Sequence, residues 1–374
     1  MCKKMKIAYV IHNLGVGGAE TIVTNYLIAL KEKGMDVVLI EFIESNSFLS
    51  TRLSKAGIEI ISLFPDFNIT NIIKKAFDII KFRILLKSRL NSSFTQIKPD
   101  IVHFHTNIDY LDTLNLQYNK VFYTFHTAVW RSINYPSKKF KNALSNSCIK
   151  GLKIVAISKD IKKEAEEIIG KSEVIVIPNG IDINAIRRKK VSRDQECLEL
   201  GIPMDAFIVG HVGRFHEVKN HEKILGIFKE ITLLKANSVL LLIGDGDRAK
   251  IDSIKQLAKD YNILDKVKFL GLRSDVHSIM SVLDCLLLPS RVEGFPLVLV
   301  EAQALGVRCI ASDVVPEEEI LNDNCFELSI NKTDLEWARL SLDCSVNKRN
   351  KDIMSIDINN VIERHISEYE KAML

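Results

Sequence analysis

Residues 176–186, VIPNGIDINAI, and residues 206–215, AFIVGHVGRF, decide the fold, because between them one alternation of strands and helices ends and a second begins. Upstream lie KIAYVIHN, DVVLIEFI, IEIISLF, DIVHFHT, VFYTFHT, KIVAISK and EVIVIPN, short runs dense in Val, Ile, Phe and Tyr with Gly, Pro, Asn or Asp nearby. That is the pattern of parallel strands buried on both faces. Between them, GGAETIVTNYLIALKEKG, NIIKKAFDIIKFRILLKSRL and SKDIKKEAEEIIG repeat their apolar residues at three and four, as helices covering a sheet do. Downstream, AFIVGHVGRF, SVLLLIGDG, KVKFLG, CLLLPS and RCIASD read as strands, separated by helical stretches such as NHEKILGIFKEITLLK. Strand, loop and helix in alternation imply parallel sheets with right-handed crossovers. The expectation is an α/β protein of two Rossmann-like domains, 1–185 and 186–355. A last helical stretch, 356–374, is expected to return to the first domain.

The 374 residues suit two domains of ordinary size, and 47% hydrophobic with 26% charged residues is a globular composition, neither disordered nor fibrous. The net charge of +4 conceals an asymmetry: residues 1–185 carry 25 Lys and Arg against 17 Asp and Glu, or +8, which leaves −4 for the rest. No basic run is interleaved with aromatics, so a nucleic-acid partner is not expected. The cysteines at 2, 148, 197, 285, 309, 325 and 344 are odd in number and form no CxxC pair, which predicts neither a disulfide framework nor a zinc site and points to a reducing cytoplasm. The apolar start ends in glycines and reads as a buried strand, not a signal peptide. No stretch reaches the roughly 20 apolar residues of a membrane span.

Four stretches carry candidate chemistry. The first strand runs into Asn13-Leu14-Gly15-Val16-Gly17-Gly18-Ala19-Glu20, where a helix must begin; glycines there admit a ligand backbone-close, and helix-start N–H groups favour phosphate. This is not the GxGxxG fingerprint, although Glu41 stands where that fingerprint's acidic residue belongs, and glycines at such a turn also serve packing alone. Gly213-Arg214-Phe215-His216-Glu217-Val218-Lys219-Asn220 follows the first strand of the second domain and places two cations on one loop, as a diphosphate leaving group requires. Pro289 to Gly306 contains EGFPLVLVEAQALG, with Pro296 suited to the first turn of a helix and Gly306 to its stop. Glu293 lies in the loop beside the N–H groups of Gly294 and Phe295, and Glu301 stands in an apolar helical run where its oxygens need partners. Asp245-Gly246-Asp247 has the form of a DxD metal site, but two carboxylates in a glycine turn after a strand are usually turn chemistry, and no metal is expected.

Glu293 and Glu301, with seven residues between them, resemble the E-x7-E motif of the retaining glycosyltransferases of the GT-B fold, family 4, and the other motifs follow in that family's order. The likeness covers nearly the whole chain and is strongest to bacterial members that assemble capsular, exopolysaccharide or lipopolysaccharide sugars. It implies two domains facing across a cleft and a nucleotide-diphosphate sugar, a UDP-sugar first, as co-substrate with no cofactor. By the same resemblance Glu301 binds the ribose hydroxyls, Arg214 and Lys219 the diphosphate, and Glu293 with the backbone of Gly294, Phe295, Pro296 and Leu297 the sugar and phosphate. Gly17 and Gly18 approach the donor from the other domain, and Gly244-Asp245-Gly246 is the turn near the base. Thr124-Phe125-His126-Thr127 resembles the family's TxHT segment, which places His126 at the reacting sugar; His105 is the second choice, and Thr127 a residue of the acceptor side. Catalysis would be same-face attack, with His126, Glu293, Arg214 and Lys219 assembled by domain closure. Two rivals are a non-hydrolysing sugar-nucleotide epimerase and an inactive transferase-like partner subunit.

The acceptor is expected to be a glycan or lipid-linked saccharide. Residues 71–90 combine Lys74, Lys75, Lys81, Arg83, Lys87 and Arg89 with dense Ile, Leu and Phe, the composition of an interfacial helix. A sheet-covering helix with a solvated basic face fits equally well. The first reading predicts peripheral contact with the anionic inner face of the cell membrane.

Overall fold

The computed structural model describes residues 4–15, 17–65, 75–106, 110–126, 137–170, 174–343 and 352–374, the side chains of 75–83 excepted. They divide into two compact units, Met1–Gly180 with Ile358–Leu374, and Ile181–Asp357.

The first unit alternates β1 (Lys6–Ile11), α1 (Gly18–Glu32), β2 (Asp36–Ile43), α2 (Phe48–Lys55), β3 (Glu59–Phe64), α3 (Lys75–Ile97), β4 (Ile101–Phe104), β5 (Val121–Phe125), α4 (Lys138–Ile149), β6 (Lys153–Ala156), α5 (Lys159–Ile169) and β7 (Val174–Val176). Its strands form one parallel sheet in the order β3-β2-β1-β4-β5-β6-β7. The order reverses between β1 and β4, and a ligand of an open α/β sheet sits outside the carboxyl ends of the strands at such a reversal.

The second unit contains α6 (Ile183–Arg187), α7 (Arg193–Leu200), β8 (Phe207–Val212), α8 (His221–Leu234), β9 (Ser238–Ile243), α9 (Arg248–Asp260), β10 (Val267–Gly271), α10 (Val276–Met280), β11 (Cys285–Leu288), α11 (Leu297–Leu305), β12 (Arg308–Ser312), β13 (Cys325–Leu328) and α12 (Asp334–Leu342). Its parallel sheet runs β10-β9-β8-β11-β12-β13, with the reversal between β8 and β11. The period-two alternation of its strands divides the core into two layers. Ile208, Leu241, Ile243, Leu286 and Leu288 join α6, α10 and α11 on one face, while Val209, Leu240, Leu242, Cys285 and Leu287 join α8, α9 and Trp337 of α12 on the other.

The division falls at Gly180–Ile181 and not after residue 185. Ile181 donates its N–H to Ile356 O at 3.0 Å, and Ile183, Ile186, Ile353 and Ile356 are buried in the core of the second unit. Pro296 is the residue before α11 and lies outside its first turn; Gly306, at φ +82°, ends that helix in the left-handed conformation glycine tolerates. Of the basic stretch, residues 71–74 lie outside the described residues. Arg89 is exposed, yet its guanidinium lies 4.3 Å over the Phe64 ring and donates to Leu63 O, so it also serves the contact of α3 with β3. Among the described residues no helix is long and apolar enough to cross a membrane.

The last helix, α13 (Ile358–Met373), belongs to the first unit. Its Tyr369 is fully buried, with its hydroxyl 2.9 Å from the Tyr9 hydroxyl and 2.6 Å from His103 Nδ1; His103 Nε2 lies 2.7 Å from Thr124 Oγ1. The strands thus bind α13 through hydrogen bonds as well as ring contacts, Tyr369 lying 4.9 Å from Phe122 between centroids. Burial holds the imidazoles here neutral, pushing His365 down to about 3 and His103 well below the usual histidine range, where the charge of His365 adds to the effect. Unfolding returns them to about 6.5, so the unfolded chain binds more protons below that pH and folding stability falls as pH falls. We expect urea midpoints to hold steady above pH 7 and to drop between pH 6.5 and 4.5, with His365 alone contributing on the order of 2–3 kcal/mol. A flat midpoint across that interval contradicts neutral burial of these rings.

Candidate functional site

In the second unit, the loops that leave β8, β9 and β11 are tied together by backbone hydrogen bonds. Phe215 N donates to Asp245 O and Arg291 N to Val218 O, at 2.9 and 2.8 Å. Asn220, left-handed at φ +57°, donates from Nδ2 to Pro289 O at 3.1 Å. Gly244 has φ +141°, and a Cβ there would come within 2.1 Å of Gly213 O. No other residue lets the 244–247 turn lie so close to the Gly213–Arg214 backbone. Asp247 uses its carboxylate to cap α9, accepting from Ala249 N at 2.7 Å.

This framework brings Lys219 Nζ to 2.6 Å from Glu293 Oε1, with the Glu293 side chain 8% exposed. Arg214 is exposed on the same loop, and no side-chain partner for it appears among the described residues. Glu301 is largely buried on α11, its Oε1 3.5 Å from His277 Nε2 of α10. Gly294, Phe295 and Leu297 line the approach to α11, whose first N–H groups have no partner within the helix. The site therefore holds one exposed cation, one cation already paired with an acid, and a second acid one helix turn farther in. These groups match a ligand that is both anionic and hydroxylated.

Three neighbours carry no motif in the sequence. His277 meets Glu301 only because α10 and α11 are adjacent in the fold. His211 sits on β8 fully buried, its Nδ1 donating to Leu287 O at 2.9 Å and burial keeping the ring neutral. Glu319 is 1% exposed, with neither carboxyl oxygen hydrogen-bonded among the described residues; burial, and then the charge of Glu293, push its carboxyl well above the usual range, favouring the neutral acid. In Glu317-Glu318-Glu319 an acidic triplet reads as solvated surface. Only the docking of Gln303, whose Nε2 donates to Glu319 O at 2.8 Å, turns the third one inward.

In the first unit, Gly17 precedes α1 and Gly18 opens it, with Thr21 N and Oγ1 both donating to Gly17 O at 3.1 and 2.8 Å. Glu41 does not face a ligand. It accepts from Ser45 Oγ and Ser62 Oγ at 2.7 Å each and from Leu14 N at 3.3 Å, and so braces the glycine loop from below. His105, just past β4, places Nδ1 2.7 Å from Nε2 of His126, just past β5, and burial pushes His126 down to about 4. Thr127 lies outside the described residues.

Removing Lys219 leaves the Glu293 carboxylate buried without its partner. Lys219→Met is expected to lower unfolding stability by about 1–3 kcal/mol, and Lys219→Met/Glu293→Gln to recover most of the loss. Equal losses in single and double variants, measured by urea denaturation, would show that the pair is not coupled.

Comparison with known proteins gives a consistent outcome for both units. The family described as Glycosyltransferase Family 4 matches residues 16–185, and Glycosyl transferases group 1 matches residues 192–335. The putative glycosyltransferase EpsF of Bacillus subtilis is 39% identical over 148 residues, covering 40% of this chain and 38% of EpsF. A UDP-Gal:alpha-D-GlcNAc-diphosphoundecaprenol alpha-1,3-galactosyltransferase of Escherichia coli is 32% identical, covering 38% of this chain and 37% of that protein. These matches span about two fifths of the relatives' length. The O-antigen biosynthesis glycosyltransferase WclY of Escherichia coli is 25% identical over 87% of this chain and 85% of its own. The crystal structure of HepE from Anabaena in complex with UDP superposes with a TM-score of 0.78 at 18% identity, over 98% of this chain and all of that one, a likeness of fold.

Proposed function

The chain belongs to the GT-B glycosyltransferases, with a family 4 first unit and a group 1 second unit, and from that membership we propose that it transfers a sugar, with retention, from a nucleotide-diphosphate sugar. The acceptor is a glycan or lipid-linked saccharide of a cell-surface polysaccharide, and the first donor to try is a UDP-sugar. One observation carries the reading: Lys219 and Glu293 meet at the carboxyl ends of β8 and β11, where the strand order reverses, with Arg214 on the same loop as Lys219. Arg214 and Lys219 stabilise the charge that develops on the leaving diphosphate, Glu293 and the N–H groups at the start of α11 hold the sugar and phosphate, and Glu301 holds the ribose. Within the first unit, His126 is the group we assign to contact with a sugar. The relatives named for O-antigen assembly and for a diphosphoundecaprenol acceptor, and the HepE complexes with UDP and with UDP-glucose, support the choice of donor and acceptor.

A thermal-shift screen against UDP-, GDP- and ADP-sugars should single out one donor class, because a ligand that binds only the folded chain raises its melting temperature. Glu301→Gln should weaken that donor by roughly tenfold or more. Transfer should survive excess EDTA, since two cations meet the leaving group. Donor turnover without any acceptor would favour an epimerase, and no donor binding at all would favour an inactive partner subunit.

A lipid-linked acceptor brings the enzyme to a membrane. Helix α3 supports this with Ile84 and Leu85 exposed at 66% and 36% beside Lys87, while Leu86 and Leu90 are buried in the unit. Each cation near an anionic surface is worth about 1 kcal/mol and is screened by salt. The chain should sediment with phosphatidylglycerol vesicles at low salt, and Lys74, Lys75, Lys81 and Arg83 changed together to Gln should abolish it. No sedimentation of the wild type at low salt would point to a soluble acceptor.

A further inference from the structure

His105 and His126 are adjacent neutral imidazoles, and the single proton they share has only two arrangements. Their facing nitrogens, His105 Nδ1 and His126 Nε2, are 2.7 Å apart. Burial keeps both rings uncharged, pushing His126 down to about 4 and His105 well below the usual histidine range. A neutral imidazole carries one N–H and one bare acceptor, so one ring donates to the other. If His105 Nδ1 donates, His126 carries its remaining proton on Nδ1 and His105 Nε2 is a bare lone pair. If His126 Nε2 donates, the unused N–H belongs to His105 Nε2.

The surroundings choose between them. Among the described residues neither His105 Nε2 nor His126 Nδ1, both buried atoms, has a hydrogen-bond partner. An orphaned buried N–H is the rarer and costlier of the two defects, so it belongs on the less enclosed of the two rings. His105 is 7% exposed and wedged between rings, its centroid 4.3 Å from that of His103 and 4.6 Å from that of Tyr9. His103 is itself pinned at both nitrogens, by Tyr369 and by Thr124. His126 is half-buried as a residue, with its Nδ1 covered, and follows β5 at the carboxyl end of an interior strand of the sheet.

We propose that His105 is a positioning residue that donates from Nδ1 to His126 Nε2 and thereby fixes His126 as the tautomer whose Nδ1–H is offered to an oxygen of the sugar substrate. The assignment rests on the transferase reading for the identity of that oxygen. It rests on the ring contacts alone for the tautomer. The hydrogen bond that one ring nitrogen makes determines what the other presents, and His105 makes that bond while the wall of Tyr9 and His103 stops it from turning.

The test uses the full chain labelled with 15N-histidine. Long-range 1H–15N correlation spectra, with the His126 signals identified by their loss in His126→Gln, should show the Nδ1–H tautomer in the wild type. His105→Phe keeps the ring contacts and removes the hydrogen bond; it should move His126 toward the Nε2–H form and lower kcat about tenfold while donor KM stays within about threefold. His105→Asn, whose amide nitrogen can stand at the Nδ1 position, should restore the tautomer and most of kcat. Should His105→Phe not fold, His105→Gln, whose amide reaches the Nε2 position, makes the same comparison against His105→Asn. A wild-type His126 protonated on Nε2, or a tautomer unmoved by loss of the His105 bond, overturns the proposal. Absence of turnover with every nucleotide sugar would instead overturn the transferase reading, and the spectrum would still decide the role of His105.

Discussion

A parallel sheet covered by helices on both faces leaves a ligand only the ends of its strands, and connections of one hand leave it only the end where the order reverses. Both units obey that constraint. In the first, the reversal lies between β1 and β4, and the glycine loop and His105 follow those two strands; His126 follows the next one. In the second, it lies between β8 and β11, and those strands run into the Arg214–Lys219 loop and into Glu293. The position of every candidate group is thus a consequence of topology before it is a consequence of chemistry.

The same edges are where the protein tolerates polar groups that its core would expel. Glu319, His211, His105 and the Nδ1 of His126 each have buried atoms without partners, and each is neutral because burial makes the charged form too costly. Other buried polar groups vary: Glu41 is held by two serine hydroxyls and two backbone N–H groups and Gln303 by four hydrogen bonds to the 319–322 segment and α11, while Glu196 Oε1, His365 Nδ1 and both ring nitrogens of His221 are buried without a partner among the described residues.

The strands and most helices were legible because both-faced burial writes continuous apolar runs, as in SVLLLI and CLLL, and because capping chemistry is local. Gly306 announces the end of α11 by itself, and the cations of the Arg214–Lys219 loop announce their place by following β8. Where sequence reasoning failed, the deciding contact was remote. Glu41 looks like a ligand carboxylate until Ser62 of the neighbouring strand is seen to hold it. Arg89 is the surface cation it looks like, but its contact with Phe64, 25 positions earlier, has no local signal. Glu319 and His277 carry no local signal at all, because helix docking alone sets their environment.

The Lys219–Glu293 pair gives the proposed reaction an internal check on its substrate. With Glu293 only 8% exposed, Lys219 cannot turn toward a diphosphate unless the carboxylate gains another donor, since an unpaired buried charge costs more than the pair is worth. In the proposed reaction a nucleotide alone supplies the anion that draws Lys219 away but, with its ribose hydroxyls assigned to Glu301, offers Glu293 nothing in return. A nucleotide sugar supplies both the phosphate and hydroxyl donors in one molecule, and the hydroxyls take over the carboxylate as the ammonium leaves it. Recognition of the leaving group and of the transferred sugar are then a single exchange of partners at one carboxylate, and binding energy from the nucleotide is held back until the sugar is present to complete it.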